Sequence, residues 1–106
     1  MTRSSSPIRL LLADDEDIIR YGLNAILQCE AAIEIVGEAC NGQQAVNQAQ
    51  QLKPDIVLMD IGMPIMDGVM ATEKICQALP DVKVLILTTS TNDSHLHNAI
   101  QAGATG

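Results

Sequence analysis

Carboxylates follow two of the apolar runs in this chain. Ile8-Arg9-Leu10-Leu11-Leu12-Ala13 ends in Asp14-Asp15-Glu16-Asp17, and Ile56-Val57-Leu58-Met59 ends in Asp60. A third run, Val82 to Leu87, ends in Thr88-Thr89-Ser90. Short apolar runs bounded this way read as fully buried strands of a parallel sheet. Ligands of such sheets gather at the carboxyl ends of the strands. Asp14, Asp15, Asp60 and Thr88 are therefore expected to meet in one crevice. Two like charges about 4 Å apart repel by about 4 kcal/mol at an effective dielectric of about 20. Such a cluster raises its own proton affinity or recruits a cation. Oxygen-only donors suit Mg²⁺ or Mn²⁺ over zinc, and Mg²⁺ uses one or two carboxylates, several waters and a phosphate oxygen. A carboxylate is also a competent nucleophile towards phosphorus. Asp14 and Asp15 are adjacent and can share the metal. Asp60 stands alone on a central strand and is the better candidate nucleophile, with the Thr88 hydroxyl available to a phosphoryl oxygen. The plainer reading of Asp14 and Asp15 is that they cap the first helix, and capping by Asp15 or Asp17 is compatible with the site.

The elements that would position these groups alternate along the chain. Ile8–Ala13 reads as a strand. Asp17 to Cys29 follows as a helix, with Ile19, Leu23, Ile26 and Leu27 on one face. Ile33–Ala39 is a second strand whose Glu34 and Glu38 suit an edge with one wet side. Asn41-Gly42 is a turn, and Gln43 to Leu52 is a helix that buries Ala45, Ala49 and Leu52. Its Gln44, Asn47, Gln48 and Gln51 read as a solvated face. Pro54 ends it. The third strand runs into the loop Ile61 to Met66, and Asp67 is expected to cap a helix over Gly68–Leu79 that buries Thr72, Ile75, Cys76 and Leu79. Lys83–Leu87 is the fourth strand. Asp93-Ser94 opens a last helix with Leu96, Ala99 and Ile100 inward and Gly103 as its stop. The order βαβαβαβα with short connections predicts an α/β fold, a parallel sheet with right-handed crossovers and helices on both faces.

Composition narrows the function. A chain of 106 residues forms one domain and can bury roughly two-thirds of its unfolded surface. Tyr21 is its single aromatic residue, so the stacking platforms of single-strand and RNA binders are absent. The net charge is −7 with six basic residues, and they do not cluster into a surface that could neutralise phosphates. Cys29, Cys40 and Cys76 lie far apart without metal-ligand spacing, which predicts small buried hydrophobes in a reducing compartment. Residues 1–7 are polar and Ser-rich and read as a flexible leader. No apolar segment is long enough for secretion or spanning, so a cytoplasmic protein without a membrane partner is expected. His95 and His97 read as solvent-facing, and Met63 and Met66 as loop packing.

The set Asp14-Asp15, Met59-Asp60-Ile61-Gly62-Met63-Pro64-Ile65-Met66-Asp67-Gly68, Leu87-Thr88-Thr89 and Ala102-Gly103-Ala104-Thr105-Gly106 resembles the receiver domain of two-component response regulators. The resemblance runs from Ile8 to Gly106. It is strongest to the subfamily with a C-terminal helix-turn-helix DNA-binding domain, the NarL/FixJ/LuxR type. It implies a flavodoxin-like, CheY-like doubly wound sheet of order 2-1-3-4(-5). It implies that Asp60 accepts a phosphoryl group from a phosphohistidine on a sensor histidine kinase. Asp14, Asp15, Asp60 and the backbone carbonyl of Gly62 would hold Mg²⁺, and Thr88 would move towards the phosphoryl group and pass on the switch. Gly62 and Ser90 occupy positions that tune dephosphorylation in the family. DNA would be reached only through a C-terminal domain.

Against the family pattern, the Lys and the aromatic switch residue that follow the Gly-Ala-x-Gly segment fall beyond Gly106, as do the fifth strand and helix. Residues 8–106 thus read as a receiver truncated before its fifth strand, with weakened phosphoryl transfer. The fourth strand would be an exposed apolar edge unless a missing segment covers it or a second copy does, as a homodimer or by strand exchange. Three other functions compete. A haloacid-dehalogenase-type phosphatase, a Mg²⁺-dependent enzyme with an aspartyl-phosphate intermediate, needs a second Asp two residues after the first, where Gly62 stands. A flavin site needs a phosphate cradle where Asp14 to Asp17 would repel phosphate. A phosphate-independent interaction module does not require the full acidic set, which is present.

Overall fold

The computed structural model describes residues 6–60, 62, 63, 65–87, 101 and 103–105. Its elements run β1 (Ile8–Ala13), α1 (Asp17–Leu27), β2 (Ile33–Ala39), α2 (Gly42–Leu52), β3 (Ile56–Asp60), α3 (Gly68–Ala78) and β4 (Lys83–Leu87). The four strands pair in parallel in the order β2-β1-β3-β4. This is the expected doubly wound topology. The order reverses between β1 and β3, and that switch point is where a crevice opens at the carboxyl ends of the strands. Residues 95–100 of the expected last helix, with Leu96, Ala99, Ile100, His95 and His97, lie outside the described residues, as do Ser90 and residues 1–5.

Strand alternation divides the side chains between two layers. Leu11 and Ala13, Val57 and Met59, and Val84 face α2 and α3 and are fully or almost fully buried, and they pack with Ala45, Val46, Ala49, Ala71 and Ile75. Thr72 is also buried there, its hydroxyl donating to the Gly68 carbonyl at 2.7 Å. Leu10 and Leu12 point the other way, towards α1, and are buried. The α1 face is the thinner layer. Ile19, Leu23 and Leu27 are half-buried as the helical spacing predicts, but Ile26 is 68% exposed. Periodicity marks a potential apolar face; a packing partner decides how much of it is covered.

The helix ends follow their local chemistry. Asp67 caps α3 by accepting the Met70 N–H at 2.9 Å, and Asn41 caps α2 by accepting the Gln44 N–H at 2.8 Å. α2 ends at Lys53 in the left-handed region, φ 50°, directly before Pro54. Gly42 opens α2 where the loop after β3 crosses it. A Cβ there would stand 2.0 Å from the Met66 carbonyl oxygen, so only glycine admits the loop. Gly103 has φ 120°, and a Cβ on it would meet Cys76 Sγ at 2.9 Å.

Two expectations need correction. Cys29 and Cys40 are exposed and Cys76 is half-buried, because the core is filled by Leu, Ile, Val, Met and Ala. Two glutamines of α2 do more than solvate a face. Gln48 donates to the Glu38 carbonyl at 2.7 Å and Gln44 accepts the Cys40 N–H at 2.8 Å, which closes the end of edge strand β2. Glu38 itself is engaged by α1, through Arg20 and Asn24. At the other edge of the described sheet, the Thr105 N–H donates to the Val84 carbonyl at 2.7 Å, and Ala104 packs against Val69 and Ile86. A single backbone hydrogen bond thus ties Thr105 to β4. Among the described residues no helix is long and apolar enough to cross a membrane.

Candidate functional site

β1 and β3 are neighbours in register, with Ala13 opposite Met59. The residues that follow β1 therefore emerge beside the end of β3. Carboxylate oxygens of Asp14, Asp15 and Asp60 lie within 4.8 Å of one another. Asp14 is buried, Asp60 half-buried and Asp15 exposed. The sequence brings these three together as expected. Thr88, the fourth expected member, lies outside the described residues, although Leu87 beside it pairs with Asp60 in the sheet.

Each carboxylate is held differently. The Asp14 N–H donates to the Ala39 carbonyl at 3.0 Å, which extends the β1–β2 pairing by one residue. One Asp14 carboxylate oxygen accepts the Glu16 N–H at 2.8 Å. This is the local turn chemistry of aspartate, and it leaves the second oxygen for a ligand. Glu16, not Asp15, stands at the N-cap of α1 and makes no side-chain cap bond. The capping reading thus fails for Asp15, which has no such duty to keep it from the crevice.

Among the described residues, Asp60 receives one long hydrogen bond, 3.4 Å, from the Gly62 N–H. Its carboxyl is pushed up to about 6, first by burial and next by the Asp14 carboxylate, with Asp15 adding to it and the Gly62 N–H opposing it. The expected electrostatic frustration is therefore present. Gly62 is exposed, and a Cβ there would meet nothing within 4 Å. Ile65 in the same loop is 83% exposed with φ 69°, an uncommon backbone state for a β-branched residue.

The three carboxylates fit a hard divalent cation. Ligand oxygens of an octahedral ion at about 2.1 Å stand roughly 3 to 4 Å apart, so a set within 4.8 Å needs only a small closure. A crevice of about 290 Å³ opens from these residues along α1, lined by Asp14, Glu16, Ile19, Leu23, Asp60 and Leu87. Arg20 carried no expectation, and Gly42 was expected only as part of a turn, whereas it is the first residue of α2. Arg20 lies buried beneath the β1–α1 turn, and Gly42 carries the loop that leaves Asp60. The spacing of Arg20 three residues after Asp17 was the one available signal for the first.

Comparison with known proteins agrees with this geometry. The family model described as the response regulator receiver domain matches residues 10–106. The chain is 44% identical over 99 residues to the transcriptional regulatory protein LnrK of Bacillus subtilis, covering 93% of this chain and 45% of LnrK. It is 44% identical over 97 residues to LiaR of the same organism, covering 92% and 46%. The chain thus spans about half the length of these curated relatives. A crystal structure of a two-component response regulator of the LuxR family from an Aurantimonas species superposes with a TM-score of 0.89 at 32% identity, covering 95% of this chain and 72% of that one. The acidic crevice therefore sits on a known scaffold, and the chain belongs to the response regulator receiver domain family.

Proposed function

We propose that this chain is a phosphoacceptor receiver: Asp60 takes a phosphoryl group from a phosphohistidine of a sensor histidine kinase. The observation that carries this is the convergence of the Asp14, Asp15 and Asp60 oxygens within 4.8 Å at the sheet's switch point. An Asp60 carboxylate oxygen attacks phosphorus, the P–N bond to the imidazole breaks with its electron pair going to nitrogen, and an acyl phosphate remains on Asp60. Asp14, Asp15, Asp60 and the Gly62 carbonyl would hold Mg²⁺, or Mn²⁺. The ion would offset the repulsion among anions and phosphoryl oxygens. The Thr88 hydroxyl is assigned to the phosphoryl group. The half-buried setting of Asp60 strengthens these interactions relative to water.

Residues 8–106 form the receiver and residues 1–7 a leader. For the whole protein we propose transcriptional control through a DNA-binding domain beyond this segment, in keeping with the regulators it resembles. A small acyl-phosphate donor with Mg²⁺ tests the central step on the full chain. One phosphate is added to the wild type by intact mass, and none to Asp60→Asn. A wild type that stays unmodified at saturating Mg²⁺ defeats the reading.

A further inference from the structure

Arg20 is a charged residue at 7% exposure, on the α1 side of the sheet and away from the main apolar core. Burial of a guanidinium is unfavourable unless its donors are matched, and here they are matched in three directions. Nη1 donates to the Asp14 carbonyl at 2.8 Å. Nε donates to Glu38 Oε1 at 3.3 Å. Nη2 donates to the Asp17 carboxylate. The other Glu38 oxygen accepts from Asn24 Nδ2 at 2.8 Å. A planar fork suits such a three-way arrangement, which a lysine ammonium cannot reproduce.

The contact with Asp14 is the informative one. Its carbonyl belongs to the peptide unit that joins Asp14 to Asp15, and the six atoms of that unit are planar. Fixing the oxygen therefore fixes the direction from one Cα to the next. With the Asp14 N–H on Ala39 and its carboxylate on Glu16, the residue is held at its N–H, its carbonyl and one carboxylate oxygen.

We propose that Arg20 is a positioning residue for the acidic site. It clamps the Asp14–Asp15 peptide between α1 and β2, and so sets how both carboxylates face Asp60. Arg20 does not reach the ion or the phosphoryl group. The proposal rests on the reading of Asp14 and Asp15 as metal ligands.

Mg²⁺ titration by calorimetry on the full chain tests it. Arg20→Met keeps the apolar stem and removes every donor. It is expected to bind Mg²⁺ at least about tenfold more weakly, the usual consequence of losing an outer-shell partner, with unchanged far-UV circular dichroism. Arg20→Lys, which keeps one donor for the carbonyl, falls between it and the wild type. In acyl-phosphate labelling, Arg20→Met needs more Mg²⁺ for half-maximal rate but reaches the wild-type rate at saturation. Wild-type Mg²⁺ affinity in Arg20→Met overturns the clamp, even if its melting temperature drops, because a merely structural role predicts that result. Should Arg20→Met fail to fold, Glu38→Gln weakens the clamp from its far side and is expected to lower affinity severalfold; unchanged affinity there overturns the proposal. Weak Mg²⁺ binding by Asp15→Asn alongside wild-type binding by Arg20→Met retains the metal site and removes only the clamp. No Mg²⁺ binding by the wild type overturns both.

Discussion

Asp55 and Asp60 flank the same strand, five positions apart, and are treated in opposite ways. At the entry to β3, Asp55 accepts the Arg9 N–H on its carboxylate at 2.9 Å, and its own N–H donates to the Arg9 carbonyl at 2.8 Å. The Arg9 guanidinium closes the same corner by donating to the Lys53 carbonyl at 3.0 Å. At the exit, Asp60 meets two other carboxylates and a 3.4 Å bond from Gly62. One end of the strand resolves its charge internally. The other leaves it to a ligand, and unresolved charge of this kind is a mark of function rather than of stability.

The largest effect that separates the two ends is Mg²⁺-dependent stability. At a concentration 100 times its Kd, Mg²⁺ should stabilise the fold by about 2.7 kcal/mol. Thermal melts should show this gain in the wild type and in Asp55→Asn, and its loss in Asp15→Asn. An equal gain in all three would erase the contrast.

The next effect is on pH. Asp60 titrates at about 6 in the fold against an ordinary 3.8. Between those values the fold binds a proton that the unfolded chain has released. Apo stability therefore falls as pH rises through that window, and the penalty is fully present above about pH 6. Because the ligands must be ionised, Mg²⁺ affinity should weaken by about tenfold for each pH unit below that point. Calorimetric titrations from pH 5 to 8 check this, and a flat profile would remove Asp60 from the ligand set.

Charge removal should then act with opposite signs. Without metal at pH 8, Asp60→Asn is expected to raise stability by about 1 kcal/mol, a figure reduced for solvent screening. Asp55→Asn should lower it by roughly 0.5 to 1 kcal/mol through a weaker acceptor. Urea unfolding of the two variants gives both signs. The smallest effect concerns the loops. Ile65 and Lys53 both have positive φ, 69° and 50°. Ile65→Asn should stabilise by about 1 kcal/mol and Lys53→Asn by less, since β-branching makes the left-handed region costlier. Equal gains would show that the loop after Asp60 carries no special strain.

Much of this was legible in the residues. β1 and β3 lie where their apolar runs do, because the inner strands of a doubly wound sheet are covered on both faces; β2, at the edge, carries Glu34 and Glu38 instead. The Asp67 cap is a one-residue signal with a local cause. The cysteines misled, since a small thiol is buried only where larger side chains leave room for it. The glutamines of α2 misled because their partners, the Glu38 carbonyl and the Cys40 N–H, belong to another strand.

The residues alone dictated the strands, the helices on both faces and the meeting of Asp14, Asp15 and Asp60, because strand ends in a parallel sheet share one rim; the strand order came from the family resemblance. The tertiary structure decided how that rim is held. The β1–β2 register slips by one residue between Leu10 and Leu11, so that Glu38 pairs with Leu12 and lies on the α1 face. Simple alternation from Ile35 would have placed Glu38 on the other side of the sheet, out of reach of Arg20. A register slip inverts every side chain beyond it; Gly37 stands at the slip, but an isolated glycine in a strand run does not say how the pairing resumes beyond it.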